Sequence, residues 1–485
     1  MKVHIEKQCK KYPYRNQDKK QKIPSFQTNT ETGSSLVAIG FNNEHCRKAL
    51  AKMVIVDELS FRFVEGERFK NFCQVTQPRF SIPSRVTIAK DIYQLFLEER
   101  KKLRAEFCKG SQRICLATDC WTSLQNINYL CLTAHYVDSE WTLQKMIINF
   151  CQLSSHKGEG VGKVIESCLH AWGIERVFTM IVDNVSSNNS MITYLRRKIK
   201  GWKGVVLGGE FLHVRCCAHI VNLIVNEGLK DLHDSIAVIH NVVRYVRSSP
   251  ATLLKFKSCV EREKIEYKGL VCLDVPTRWN STYMMLDAAI KFQKAFERYE
   301  EEDDKFVSYF REDGGGKRKI APPLDDDWEN VKVFVKFLKT FYDITLKFSA
   351  TLNVTSNSYF HELCEMQNQL SELSKQEDSM LSSMAVSMKK KYAKCWGNVE
   401  NINCLLFVAV VLDPRYKMDY LTYCFSIVYD SCTSETLAKN VKDTMYRLHE
   451  VYSGEKGEYV ANESSGEAAT STTEGKTEVE GKGCL

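Results

Sequence analysis

Three apolar runs separated by short gaps, followed by a β-branched run that ends in aspartate, constrain this chain more than any other feature. ICLATDCW alternates before it reaches Asp119, and YLCLTAHYVD and LQKMIINFCQL come after it as two more strand-like runs. The short gaps favour antiparallel pairing, so these three read as a meander. After Gly158 and Gly160 the spacing turns helical through Ile165, Leu169 and Trp172; VFTMIVD then ends in Asp183, and helical spacing resumes through Met191, Tyr194, Leu195 and Ile199. FLHVRCC supplies another strand, and AHIVNLIVNEGL another helix with Ile220, Leu223, Ile224 and Leu229 on one face. The order from Arg113 to Leu229 predicts an α+β class built on an RNase H-like mixed sheet, three antiparallel strands and then parallel strands with helices.

In such a sheet the first and fourth strands are neighbours, so Asp119 and Asp183 should approach each other at adjacent strand ends, in one cleft. Clustered hard oxygens suit Mg²⁺ or Mn²⁺, and phosphodiester chemistry needs cations held where they stabilise the attacking and leaving oxygens. A third carboxylate normally completes the set. The blander role for either Asp is to end a strand and cap the next segment.

At these residues the sequence resembles the hAT transposase family, especially the domesticated plant sleeper proteins with BED-type zinc fingers. The resemblance is carried by TDCWTS around Asp119, VDNVSSNN around Asp183, RCCAHIVNL around His219, TRWNSTY around Trp279 and AVVLDPRYK around Asp413. It extends to about Tyr423, and several motifs in one order are far more specific than any one alone. It implies a DNA-binding ancestor that cut and pasted DNA, and a large all-helical insertion after the sheet. Cys216 and His219 match the family's CxxH motif, where the resemblance implies a structural or DNA-positioning role. His213, Cys216 and His219 are also spaced for a zinc reading, but the chain passes from strand to helix there and a lone Cys-x-x-His is a weak zinc signature. Arg278 and Trp279 match the family's RW motif, which implies an indole near the scissile junction, able to stack on a flipped base. A core Trp at a helix start is the equal alternative.

The first 22 residues carry eight Lys or Arg against two acids. Lys10, Lys11, Arg15, Lys19 and Lys20 make a basic arm that suits DNA phosphates or a nuclear localisation patch. His4 and Cys9 have the spacing of the second half of a zinc site, but two earlier ligands would have to precede Met1, and structural zinc takes four. Zinc is therefore not expected at this pair. Arg79, Arg85, Lys101, Lys102 and Arg104, in a helical stretch, offer a basic face to DNA or to solvent.

The expected organisation is a basic arm with a finger remnant over 1–35, a helical DNA-associated region over 36–110 and the RNase H-like domain over 111–229. A first helical part of the insertion covers 230–300 and a charged linker 301–327. A helical hAT-like segment covers 328–452, with Val331, Phe334, Val335, Leu338 and Tyr342 on one face, and a disordered tail covers 453–485. Asp413 is expected to begin an Asp-Pro turn. Composition narrows the function classes: 485 residues with a net charge of +7 permit nucleic-acid binding without demanding it. Nineteen Cys behind a basic start argue for reduced thiols in cytosol or nucleus. No run is long and apolar enough to span a bilayer.

The resemblance further implies a carboxyl-terminal region with a dimerisation surface and a Ser-Glu-x-x-Phe-Ser type motif that holds the third carboxylate. Neither is found in these residues, and Glu362 and Glu365 are the helical candidates to inspect in its place. Two functions compete. The first is a nuclear, transposase-derived protein that binds double-stranded DNA without catalysing transposition, with a homo-oligomer open. The alternative is an active transposase or nuclease using carboxylate-bound Mg²⁺ or Mn²⁺.

Overall fold

The computed structural model describes residues 22–27, 35–109, 112–154, 157–202, 204–230, 233–275, 278–311, 322–350, 354–376, 379–399 and 402–463. Contacts divide the chain into two units, Met1–Gly110 and Ser111–Leu485.

In the first unit, β1 (Lys22–Gln27) pairs antiparallel with β2 (Ser35–Gly40). Lys22–Gln27 thus belongs to a hairpin rather than to the expected arm over 1–35, because the β-branched LVAI run of β2 favours an extended partner. Helix α1 (Asn43–Val56) starts at Asn42, whose Oδ1 accepts from the amides of Glu44 at 2.9 Å and His45 at 3.1 Å. It is followed by α2 (Glu67–Thr76) and α3 (Arg85–Lys109), with a loop between them as their prolines predict. Leu50, Ala51, Val54, Val64 and Ile88 form a small core, and Arg47 pairs with Asp91 across α1 and α3. Of the basic residues here, Arg85 binds Glu65 and Lys102 binds Glu99.

The second unit opens with β3 (Ile114–Thr122), β4 (Asn128–Val137) and β5 (Leu143–Leu153), then α4 (Gly158–Trp172), β6 (Val177–Val182), α5 (Ser186–Ile199), β7 (His213–Arg215) and α6 (Cys217–Leu229). The sheet order is β5-β4-β3-β6-β7. The first three strands are antiparallel, whereas β3–β6 and β6–β7 are parallel. This is the RNase H-like arrangement expected from the strand order. Alternation does the sorting: Ile114 and Leu116 of β3 and Leu130, Leu132, Ala134 and Tyr136 of β4 are buried, with less buried residues between them.

Helix α4 buries Val161, Ile165, Leu169 and Trp172 at helical spacing, and Trp172 Nε1 donates to the Ile148 carbonyl of β5 at 2.8 Å. Gly173, at φ 68°, ends it in the left-handed region that favours glycine. Helices α4 and α5 touch at Gly158, where a Cβ would overlap the Ser187 carbonyl oxygen and come within 3.0 Å of the Met191 nitrogen.

Helices fill the remainder: α7 (His233–Val246), α8 (Pro250–Arg262), α9 (Trp279–Lys291), α10 (Gln293–Glu302), α11 (Asp304–Arg311), α12 (Asp325–Phe348), α13 (Tyr359–Leu373), α14 (Ser379–Trp396), α15 (Leu405–Leu412), α16 (Lys417–Val428) and α17 (Ser431–Glu463). One core runs from α6 to α17 and includes Trp279, Trp328, Phe334, Phe341, Phe360, Phe407 and Phe425. Val331, Phe334, Val335 and Leu338 are buried on α12, as their spacing predicts.

Two expected boundaries move. Part of the linker over 301–327 is helix α11, whose Phe306 and Phe310 are buried, so aromatic burial outweighs the charged flanks. Helix α17 continues to Glu463, past the expected tail boundary at 453. Residues 464–485 and 312–321 lie outside the described residues.

The two glycines of the α4 start should separate under substitution. Gly158→Ala is expected to destabilise by about 1–3 kcal/mol, since backbone must shift. Gly160→Ala, with nothing within 4 Å of its Cβ position, should be neutral or stabilise by about 0.5–1 kcal/mol. Thermal unfolding midpoints of the two variants check this, and equal shifts would contradict the close α4–α5 approach.

Candidate nucleic-acid and metal site

Asp119 lies on β3 and Asp183 directly follows β6. The parallel register runs to Ala117 beside Ile181, and Asp119 and Asp183 each lie two residues beyond that last pair, Asp119 still paired with Cys131 of β4. The next strand joins them, since the Cys216 amide donates to the Val182 carbonyl at 2.8 Å. Asn188, in the first turn of α5, donates its Nδ2 to Asp183 Oδ1 and, at 3.1 Å, to the Asp183 carbonyl. A single amide thus holds both the side chain and the backbone of Asp183.

Two thiols lie near both carboxylates. Burial pushes Cys120 up to about 11, Thr118 opposes this, and Asp183 and Asp119 raise it further. Burial also raises Cys216, against the amides of His219 and Ala218, with Asp183 and Asp119 again adding repulsion. Both thiols sense both carboxylates, so these side chains gather at one end of the β3–β6 pair.

A cleft of about 280 Å³ opens from Asp183. Asn184 lines it beside the carboxylate, and Arg215, Lys391 and Lys394 line it as cations. Carboxylates suit a hard cation, while guanidinium and ammonium groups suit phosphate oxygens. The two lysines come from α14, far along the chain. KKKYAKC shows a basic helix in the sequence, but nothing there says which face turns toward a strand.

Other sequence candidates fall elsewhere. Cys216 is the cap residue before α6 and His219 sits in that helix's first turn, both half-buried. Among the described residues, the group of three metal-ligating side chains that converge within 4.8 Å is His361, Glu362 and Glu365, which includes neither of these nor Asp119 or Asp183. Glu362, 2% exposed, accepts from Lys347 Nζ at 2.6 Å, so an ammonium already neutralises it. Arg278 is exposed before α9, but Trp279 is 2% exposed and meets Tyr283 and Tyr342 edge-on at 6.4 and 6.5 Å. The indole is core, with no open face for a base.

Asp413 is buried at the end of α15, where the Arg415 side chain and amide and then Asn357 hold its carboxyl well below the usual range. Its role is the turn. His4, Cys9, Lys10, Lys11, Arg15, Lys19 and Lys20 lie outside the described residues.

Comparison with known proteins adds an independent line. Residues 117–211 match the ZBED1 RNase-like domain, 214–337 the ZBED1 RNase-like helical domain, and 357–452 the hAT-like transposase, RNase-H fold. The chain belongs to the hAT transposase-derived family. Zinc finger BED domain-containing protein RICESLEEPER 1 of Oryza sativa subsp. japonica is 31% identical over 424 residues, covering 87% of this chain and 55% of the rice protein. DAYSLEEPER of Arabidopsis thaliana, also a zinc finger BED domain-containing protein, is 28% identical over 424 residues, covering 87% of this chain and 58% of its own length. The chain therefore spans little more than half the length of these relatives.

The hAT-like segment at 357–452 is helical throughout its described elements, α13 to α17, whatever its family description. The sheet at 114–215 carries the RNase H-like strands. A centre of this family implies a divalent metal in general, and the hard carboxylate oxygens of Asp119 and Asp183 fit one.

Burial of Trp279 yields a prediction that separates packing from base stacking. Trp279→Ala should cost about 3–5 kcal/mol of stability, whereas Trp279→Phe should stay folded and bind duplex DNA within about twofold of the unaltered chain. Urea unfolding and DNA titration measure the two effects. A folded Phe variant that loses most of its DNA affinity would return Trp279 to the DNA interface.

Proposed function

We propose that this chain is a nuclear, transposase-derived protein that binds double-stranded DNA and does not itself cut or join strands. One observation carries the reading: Asp183 lines a cleft with a cationic edge and Asp119 lies at the same end of the neighbouring strand, while no group of three His, Cys, Asp or Glu ligands within 4.8 Å includes either among the described residues. The cations suit phosphate. Two carboxylates can hold one hydrated Mg²⁺ or Mn²⁺, which keeps several waters. Bound there, such an ion would supply charge neutralisation to a phosphate, whereas in-line displacement calls for a clamp on both reacting oxygens.

Asn188 would keep Asp183 oriented toward the ion, and Arg215, Lys391 and Lys394 would hold the phosphate beside it. The BED domain in the names of the rice and Arabidopsis relatives supports DNA as the partner. The basic amino-terminal residues support nuclear entry. The competing reading, a metal-dependent transposase or nuclease, is favoured by the same aspartate pair.

Incubating the purified chain with a flanked transposon-end duplex and Mn²⁺ decides between them. No cleavage is expected. Mn²⁺ binding followed by electron paramagnetic resonance should nevertheless weaken at least tenfold in Asp119→Asn and Asp183→Asn. Strand cleavage that vanishes in both variants would make the chain an enzyme.

A further inference from the structure

We propose that a phosphate-binding track runs along β7, away from the aspartate pair, built by Arg196, Arg215, Lys391 and Lys394, and that it takes the sugar-phosphate backbone of duplex DNA. This rests on the DNA-binding reading and adds the path the DNA takes. Two clefts carry it. The cleft that opens at Asp183 has a neighbour of about 290 Å³ lined by Arg196, Glu210 and Asn403, and both clefts share His213 and Arg215. Their shared residues are the two ends of β7, a three-residue strand at the edge of the sheet. The pair of clefts is therefore one continuous groove along that edge.

The cations are placed by separate elements. Arg196, in the last turn of α5, is aimed by Nε donating to the Gly209 carbonyl at 3.1 Å. Arg215 closes β7. Lys391, Lys394 and Cys395 are three and four residues apart on α14, hence on one face. The same stripe of that helix packs on α6, where Met384 and Met388 crowd the position of a Cβ on Gly228. The Lys391 ammonium also pairs with Glu227, Nζ to Oε2 at 3.5 Å, and Glu227 is shared with Lys230 at 3.0 Å.

Of the groove's two acids, Asp183 and Glu210, the second is countered. Glu210, in the far cleft, binds Arg447 of α17, with Nη1 to Oε1 at 3.1 Å. Two titrating groups inside the groove register the positive potential. Burial lowers His213, and Arg215 and then Arg196 lower it further. Burial raises Cys395 while Lys391, Arg215 and Lys394 pull it down. Arg215 acts on both groups, with Arg196 on His213 and the two lysines on Cys395. Positive charge supplied from both clefts along one strand suits a polyanion with repeating phosphates better than one small anion.

The test is the salt dependence of affinity, measured on the full chain with a random-sequence duplex by fluorescence anisotropy. Each phosphate neutralised adds about 0.9 to the slope of log affinity against log salt. The Lys391→Gln, Lys394→Gln double variant should therefore lose about 1.8 of slope and bind at least tenfold more weakly at low salt. Lys394 is exposed, so Lys394→Gln alone, which leaves packing untouched, should lose about half as much. Lys390→Gln removes the same charge from an exposed position of α14 that lines neither cleft, and it should keep the original slope. If the double variant binds DNA with the slope of the unaltered chain, the track is wrong and DNA is held elsewhere. Equal losses in the Lys390 control also overturn it, since net charge alone would then explain binding. If the unaltered chain binds no duplex, the track and the DNA-binding function fall together.

Discussion

The parallel pairing of β3 with β6 is the contact on which this molecule depends. It joins strands that are not consecutive, so the meander and the parallel tail become one sheet only through this ladder. It also sets Asp119 and Asp183 next to each other. A slip of one residue would turn one of them to the opposite face, because side chains alternate along a strand. The buried faces oppose such a slip: Ile114 and Leu116 on β3 and Met180 and Val182 on β6 are each within about 2% of complete burial. The hydrophobic effect thus holds the acidic pair in register although neither acid contributes to the core.

Around that sheet the helical body does two jobs. Its aromatic core, with Trp279 and Trp328 at 2% exposure, anchors the helices that come after the sheet. Its surface delivers charge to the cleft. Helix α14 buries Met384, Met388 and Tyr392 and turns Lys391 and Lys394 toward β7. Packing and electrostatics therefore use adjoining stripes of one helix, with Lys391 and Lys394 at the margin of the buried face. Asp413 shows the complementary case, an acid in a matching motif whose charge is consumed locally by Arg415 and Asn357.

Much of this is legible in residue patterns. Apolar runs ending in Asp119 and Asp183 predict the strands and their order, and the spacing of Val331, Phe334, Val335 and Leu338 predicts the buried face of α12. Charged flanks conceal α11, because EEDD and REDGGGK surround only a few apolar residues. Phe306 and Phe310 are nevertheless enough to bury a short helix once a neighbouring core exists. Trp279 stays open in the sequence for a related reason, since an aromatic residue at a helix start suits either a core or a nucleobase.

Over residues 113–229 local order was determined by the sequence alone: which segments are strands, which are helices, and that Asp119 lies on, and Asp183 follows, strands that are neighbours in an RNase H-like order. These depend on short-range periodicity, in which each residue's environment repeats every two or every 3.6 positions. The composition of the cleft was decided only by the tertiary structure. Lys391 and Lys394 meet Arg215 and Asp183 because α14 packs on α6, and that depends on methionine side chains filling the space beside Gly228, which has none of its own. Periodicity shows that a helix has an apolar face. It carries no information about which partner that face will meet, and so none about where the cations at its margin will stand.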